Sequence, residues 1–260
     1  MEKLSDLCPT VAAKAICLVL LALATCIYTR PVHAADHSAD DIEKILIKRW
    51  NQISSLTADL TVEADYAFSP NSPAAHVTGK GIAEYLKKDG LDRSRIEFGI
   101  DLTETIQLAR FIGIYDGKDA YITREFLGKL ESEKIDQSKI GVVPPGGQAL
   151  FNALRKDFEL TALSPEKIDG KDAFVLEAKA KRPLGDFQIG KMRFFFLQQS
   201  GVVARVDVCN TQNVPLGTIR TSNVRINPPI SEDRFKYNST TDMSIQKTPL
   251  LSLPQLPFLK

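Results

Sequence analysis

The sequence predicts an α+β domain built mainly of antiparallel strands. Apolar residues occupy seven alternate positions from Leu56 to Phe68, and mostly polar side chains stand between them. This is the pattern of a long strand with one buried face and one solvent-facing face. Turn residues such as Asp-Gly then separate further strand-like segments, whereas helical periodicity is rare. We therefore expect about nine or ten strands with two or three helices.

The composition is that of a globular protein. The 260 residues include 33 basic and 32 acidic side chains, and 43% of the residues are hydrophobic. Collagen-like, low-complexity and wholly disordered chains are thereby excluded. A near-zero net charge argues against nucleic acid as a partner, because binding to phosphates needs a basic face.

Residues 1–34 are expected to be a signal peptide. Lys3 and Lys14 precede an apolar run over residues 15–27, and Val32 and Ala34 suit cleavage after Ala34. This predicts a periplasmic protein. Two alternatives stay open, namely a retained membrane anchor and a lipoprotein anchored through Cys26, which ends a lipobox-like segment.

One domain is expected over residues 35–240, because the sequence shows no internal repeat and no linker to a second domain. Cleavage after Ala34 would leave Cys209 as the last cysteine of the chain, so no internal disulfide is expected.

The first elements follow from periodicity and turn residues. Residues 36–52 have the spacing of a helix that Ser38 or Asp40 caps, and the long strand comes next. Strands over 81–88 and 92–98 flank a turn at 88–90, and strands over 103–115 and 119–123 flank another at 116–118. Around residues 125–145 the pattern breaks into a charged and then Pro/Gly-rich connection.

The remaining elements are a second helix and a meander. Residues 148–158 place Leu150, Phe151 and Leu154 on one helical face, and a strand follows from Phe158. A turn at residues 168–171 leads into a strand over 173–180, and strands over 191–198, 202–209 and 217–226 complete the sheet. Phe195 must be covered on the face opposite to Phe194 and Phe196, so both sides of the sheet are predicted to be apolar there.

The residue patterns that carry catalysis or metal binding are not found. His37 and His76 stand apart from any ligand cluster, and the chain has no G-x-S-x-G, P-loop or C-x-x-C motif. We expect no cofactor, no metal and no enzymatic activity. Lys87 and Lys88, with Arg93 and Arg95, form a basic cluster that suits either a lipid headgroup or a solvated strand face.

Several segments together resemble the LolA-type superfamily of periplasmic lipoprotein carriers. Residues 53–60 resemble the start of that family's first strand, 79–88 its second strand and 114–121 its characteristic hairpin. Near the end, residues 201–207 and 218–235 resemble its closing pattern, in which Asn227-Pro228-Pro229 follows a strand and precedes an acidic turn.

The resemblance implies an unclosed β-barrel whose concave side is covered by helices and holds acyl chains in an apolar hollow. It implies a periplasmic monomeric carrier without covalent chemistry, with an inner-membrane export complex and an outer-membrane acceptor as partners. Lys87 and Lys88 stand where such carriers hold the lid with an arginine. The residues expected to line the hollow are Leu60, Val62, Tyr66, Ile82, Leu86, Ile96, Phe98, Phe194 and Phe196. Leu150, Phe151 and Leu154 are the expected lid residues.

Two other functions stay open. The same fold serves as a sensing module in regulators of envelope stress, and a hydrolase acting on envelope material is the enzymatic alternative. The Pro/Leu-rich tail, residues 241–260, is expected either to pack along the domain or to lie near the mouth of the hollow or on a partner.

Overall fold

Within the described residues, the protein forms an antiparallel sheet of eleven strands that is not closed into a barrel, together with two α-helices. The computed structural model describes residues 37–66, 75–103, 106–126, 129–135, 146–184 and 188–237. This architecture confirms the predicted α+β class and the unclosed barrel. The signal peptide and the Pro/Leu-rich tail lie outside the described residues.

The helices are α1 (Ala39–Trp50) and α2 (Gly147–Asp157), and a 3-10 helix covers Glu232–Phe235. The strands are β1 (Ser55–Tyr66), β2 (Ala75–Lys88), β3 (Leu91–Thr103), β4 (Ile106–Tyr115), β5 (Ala120–Phe126), β6 (Lys129–Ile135), β7 (Phe158–Ile168), β8 (Lys171–Leu184), β9 (Ile189–Leu197), β10 (Val203–Asn210) and β11 (Pro215–Ile226).

The chain builds the sheet outwards from its centre. The strand order is β6-β5-β4-β3-β2-β1-β11-β10-β9-β8-β7. β1 starts in the middle, successive strands extend to one edge, and the chain then passes through α2 to the other edge and returns. Neighbours in sequence are therefore neighbours in space, as is usual for hairpin-connected strands. There are two exceptions: β1 and β11 pair and join the two halves, and the consecutive strands β6 and β7 lie at opposite edges.

Local sequence explains where α1 begins and what it buries. Oγ of Ser38 accepts a hydrogen bond from the backbone N–H of Asp41 at 3.2 Å, so Ser38, one of the two predicted candidates, is the cap. Ile42, Leu46 and Trp50 follow one another at intervals of four residues and are buried.

Turn residues explain the hairpins. Asp89-Gly90 and Asp169-Gly170 have positive φ at both residues, as a two-residue hairpin turn requires. At the next hairpin Asp116 Oδ1 accepts from the backbone N–H groups of Lys118 and Asp119 at 2.8 and 2.7 Å. These turns were predicted from sequence.

Two sequence-based expectations are corrected. Residues 103–115 do not form one strand, because β3 ends at Thr103 and β4 begins at Ile106. The charged segment after Glu125 is not a plain connection, since β5 continues to Phe126 and β6 follows as an edge strand. An edge strand can carry charged side chains, which protect its free edge, so it lacks the apolar alternation that would reveal it.

Candidate functional site

A row of apolar residues crosses nine strands on one face of the sheet. Residues directly opposite each other on paired antiparallel strands point to the same side. Following the register from β7 to β4 gives Ala162, Leu176, Phe194, Val206, Ile219, Val62, Gly79, Ile100 and Ala109. We call the side that carries this row the inner face, because the two helices pack on it.

The neighbouring row on the outer face is entirely polar. It runs through Thr161, Glu177, Arg193, Asp207, Thr218, Glu63, Thr78 and Asp101. Between these two rows, a shift of one residue thus separates apolar side chains from polar ones across eight strands. The pattern identifies the inner face as the candidate site.

The inner face carries two large apolar clusters. The helix cluster contains Ile42, Leu46, Phe151 and Leu154 together with residues of β8, β9 and β10. The strand cluster, on β1 to β5, consists of Val62, Ala64, Val77, Phe98, Ile100, Ala109, Phe111, Ala120 and Ile122. Ile219 packs against both clusters. A smaller third cluster joins Trp50 of α1 to Tyr85 of β2.

Two glycines on β2 allow β3 to approach β2 closely at the strand cluster. A Cβ on Gly81 would lie 2.0 Å from the Glu97 carbonyl oxygen and 2.4 Å from Phe98 Cβ. A Cβ on Gly79 would lie 2.6 Å from the Gly99 carbonyl oxygen. Both glycines point to the inner face, so any side chain there would push β3 away.

Aromatic packing and an ion pair hold the helices in place. The Phe151 ring of α2 lies 6.0 Å from that of Phe196 on β9. Arg155 of α2 bonds Glu43 of α1 at 2.8 Å and also pairs with Asp40. This pairing is solvent-exposed in part, so it adds little stability and mainly fixes the helices relative to each other.

Trp50, the last residue of α1, lies between the start of α2 and strand β2. Its ring lies 4.9 Å from that of Tyr85, and Tyr85 donates to Asp92 at 2.5 Å. A Cβ on Gly146 would come within 2.3 Å of the Trp50 ring, so α2 can begin here only because Gly146 has no side chain. Burial and the hydrogen bond to Asp92 raise the pKa of Tyr85, which therefore stays protonated.

The structure brings most of the predicted lining residues to the inner face. Leu60, Val62, Phe98, Phe194 and Phe196 are buried there, and Ile96 is half-buried beside the strand cluster. Phe151 and Leu154 of the predicted lid are buried, and Leu150 is half-buried against the helix cluster. Tyr66 ends β1, but its side chain is outside the described part of the chain.

Ile82 and Leu86 are not brought together with the others. Ile82 pairs with Asp59 and Glu97, and Leu86 pairs with Ser55 and Arg93, which places both on the outer face. The reason lies in β2, whose inner face carries Gly79, Gly81 and Ala83 while the bulkier Ile82 faces outwards. Judged by hydrophobicity alone, Ile82 and Leu86 would face inwards, which is the opposite of their observed orientation.

Sequence reasoning did not single out several inner-face residues. They include Phe111 on β4 and Phe174, Leu176, Met192 and Val208 on β8 to β10, all buried. The run Phe174-Val175-Leu176 could have predicted the buried positions on β8, because an unbroken apolar stretch indicates a strand covered on both faces. Phe195, as predicted, is buried on the outer side with Val175 and Ala173.

The basic cluster lies under the C-terminal segment 228–237. Lys88 pairs with Glu232, and Arg93 lies 3.5 Å from the same carboxylate. Arg234 makes two bonds to Glu84, at 3.0 and 2.8 Å. Lys87 is exposed. Much of the positive charge of this basic cluster, for which a lipid headgroup was one predicted partner, is therefore neutralised by carboxylates of the same chain.

The same segment is anchored by aromatic contacts on the outer face. Phe235 is 1% exposed, and Tyr237 stacks on Tyr121 with ring centroids 4.7 Å apart. Arg95, itself buried, donates to the Arg234 carbonyl oxygen at 3.4 Å. The 3-10 helix thus lies against β3, on the side away from the candidate site.

Two carboxylates of the outer face have shifted pKa values. Burial alone would raise the pKa of Glu97, but hydrogen bonds from Arg110 and Arg95 outweigh it and lower the pKa. Burial raises the pKa of Asp207, although Arg205 donates two hydrogen bonds to it at 2.5 and 2.6 Å. Both carboxylates are engaged by arginine, which accounts for them as structural groups.

The described residues contain no group of three or more His, Cys, Asp or Glu side chains able to hold a metal ion. Within the same ranges, neither helix has the length and apolar character needed to cross a membrane. What the site offers chemically is an extended apolar surface.

Comparisons with known proteins identify similar structures. No protein-family model matches the sequence, and no curated protein sequence matches it. A LolA superfamily protein from Nitrosomonas europaea has 11% sequence identity and a TM-score of 0.32, over 75% of this chain and 97% of that one. Structures similar to this chain thus include a LolA superfamily protein.

Two further structures are similar. The lipoprotein LppX from Mycobacterium tuberculosis has 14% identity and a TM-score of 0.41, over 74% of this chain and 96% of that one. MucB in the Pseudomonas aeruginosa MucA/MucB complex has 12% identity and a TM-score of 0.46, over 77% of this chain and 61% of that one. At such identities the likeness concerns the fold.

Proposed function

We propose that this chain is an exported lipid carrier that holds an acyl chain between the inner face of the sheet and the helices. The observation that carries the proposal is the apolar row across nine strands, with a wholly polar row beside it on the outer face. A cargo of this class needs a long apolar surface and no reactive group. The carrier acts without covalent chemistry.

The strand cluster is the part of this surface that suits the acyl chain. Its members are 9% exposed or less, and they include Val62, Phe98 and Phe111. No helix residue belongs to this cluster within the described part of the chain. An acyl chain entering beside Ile219 would lie against this cluster.

The energetics allow both loading and release. Burying a chain of about 16 carbons is worth about 12 kcal/mol gross, at about 0.8 kcal/mol for each methylene. Separating packed apolar side chains and moving the helices opposes part of this gain, which leaves a net affinity low enough for release. We propose that an inner-membrane export complex loads the monomeric carrier in the periplasm and an outer-membrane acceptor unloads it.

A matched pair of isoleucines tests the site. Ile96 and Ile82 are both half-buried and lie on adjacent strands, but Ile96 faces inwards and Ile82 outwards. A fluorescent fatty acid is titrated into the wild type, Ile96→Asn and Ile82→Asn. An unpaired amide against the acyl chain costs about 1–3 kcal/mol, so Ile96→Asn should weaken binding about tenfold or more. Ile82→Asn should bind like the wild type.

Thermal unfolding of each variant, with and without the fatty acid, serves as the control for folding. A ligand at about 100 times its Kd adds about 2.7 kcal/mol to the free energy of unfolding, so the wild type should melt several degrees higher when loaded. Absence of binding to the wild type would disprove the carrier. Equal losses in both variants would place the ligand elsewhere. A ligand that is bound but never passed to lipid vesicles would favour the sensing module.

A further inference from the structure

Arg49 presents an unpaired positive charge at the edge of the helix cluster. It lies seven residues after Ile42 and three after Leu46, so helical spacing puts it on the buried side of α1. Its guanidinium carbon lies 5.7 Å from the centre of the Phe174 ring, and Phe174 belongs to the helix cluster. One terminal nitrogen of Arg49 is buried and has no hydrogen-bond partner among the described residues.

Three other arginines near the helices and the sheet each have a carboxylate partner. Arg155 pairs with Asp40 and Glu43, Arg205 with Asp207, and Arg234 with Glu84. No described carboxylate pairs with Arg49. A buried donor without an acceptor lowers stability, and the cost is removed once an acceptor arrives. An arrangement of this kind is suited to a ligand that brings its own negative charge.

We propose that Arg49 binds the anionic oxygen headgroup of the lipid, a carboxylate or a phosphate monoester, while the acyl chain extends past Phe174 over the inner face. This inference rests on the proposed carrier function and names its ligand class. Arginine suits the role because its planar guanidinium donates two parallel hydrogen bonds to such a group. The half-buried position of Arg49 leaves the headgroup at the rim, where burial of its charge costs least.

The headgroup side of the site has a second basic neighbour. The His37 ring meets the Phe174 ring edge-on, with centroids 5.8 Å apart. His37 and Arg49 therefore flank the same aromatic ring from opposite ends of α1. By contrast, Lys88 and Arg93 of the basic cluster contact Glu232 on the outer face. Arg49 is thus a positive charge beside the helix cluster, on the inner side of the sheet.

Affinities for charged and neutral forms of one lipid test the proposal. In a competition assay, a neutral fluorescent lipid is bound to the wild type, Arg49→Met or Lys48→Met. Palmitate, its methyl ester and hexadecyl phosphate are then tested as competitors that displace it. Methionine keeps the apolar stem of arginine and removes the charge. Lys48→Met removes the same charge from an exposed neighbouring position of α1 and is the matched control.

We expect the wild type and Lys48→Met to prefer at least one anionic lipid over the ester, and Arg49→Met to lose about tenfold in affinity for that lipid alone. The better anionic competitor distinguishes carboxylate from phosphate. A preference that survives in Arg49→Met, or a wild type without any preference, would overturn the inference and leave the carrier intact. Failure of the wild type to bind any of the lipids would overturn both. If Arg49→Met does not fold, Arg49→Gln takes its place in the same comparison.

Discussion

Leu60 and Thr61 are adjacent in β1 and meet opposite environments. Leu60 is 8% exposed and sits between Gly81 and Thr221 on the inner face. Thr61 is half-buried on the outer face, with Lys80 opposite on one side and Arg220 on the other. The phase of β1, and with it the identity of the inner face, thus depends on alternation at single positions.

The same substitution at these two positions tests this phase. Leu60→Asp places a charge among apolar neighbours and should lower the free energy of unfolding by about 3 kcal/mol or more. Thr61→Asp places it between two basic side chains and should change stability by less than about 1 kcal/mol. Urea unfolding of both variants gives the comparison. Similar losses at the two positions would contradict the assigned phase.

The C-terminal segment 228–237 is an element that lacks regular strand pairing but still fixes the outer face. Ser55 Oγ donates to the Pro228 carbonyl at 2.5 Å, and Asn227 Oδ1 accepts from the backbone N–H of Ser54 at 2.8 Å. Glu232 and Arg234 then bind side chains of β2 and β3. Its exposed ion pairs contribute little, so burial of Phe235 should dominate its stability.

Replacement of Phe235 should therefore matter more than loss of charge in this segment. Phe235→Ala is expected to lower the free energy of unfolding by about 3 kcal/mol, because it leaves a cavity on β3. Lys236→Ala, at the exposed next position, should change it by less than about 0.5 kcal/mol. Denaturant midpoints measure both. If Phe235→Ala were as mild as Lys236→Ala, the segment would not be held by that ring.

At the scale of the whole molecule, the two halves of the sheet depend on each other. The central pair β1–β11 joins strands more than 150 residues apart in sequence, and Ile219 of β11 packs against both apolar clusters. Trp50 connects the helices to β2 through Tyr85. These shared contacts favour a single cooperative unfolding transition.

The single tryptophan of the chain reports on this coupling. Trp50 emission follows the end of α1, and far-ultraviolet circular dichroism follows the sheet. We expect the two signals to give the same urea midpoint, because loss of the helix contacts exposes the helix cluster that β8, β9 and β10 share. A Trp50 transition at clearly lower urea would mean that the helices leave before the sheet unfolds.

Much of the local structure was predictable from sequence. The phase of β1, the cap at Ser38, the turns at Asp89-Gly90 and Asp169-Gly170 and the outward position of Phe195 all followed from short-range rules. Each depends on the preferences of a few neighbouring residues. β6 was missed because edge strands need no apolar stripe.

The sequence by itself determined the class of fold, the direction of most strands and the apolar character of one side of β1. Only the tertiary structure decided that β1 pairs with β11, that Ile82 and Leu86 face outwards, and that no carboxylate of the described residues pairs with Arg49. The physical reason is that side-chain alternation is a local property, whereas register between distant strands and the pairing of charges depend on packing across the whole sheet. In β2, Gly79 and Gly81 occupy inner-face positions because β3 approaches too closely there for any side chain, and this approach is visible only in the tertiary structure.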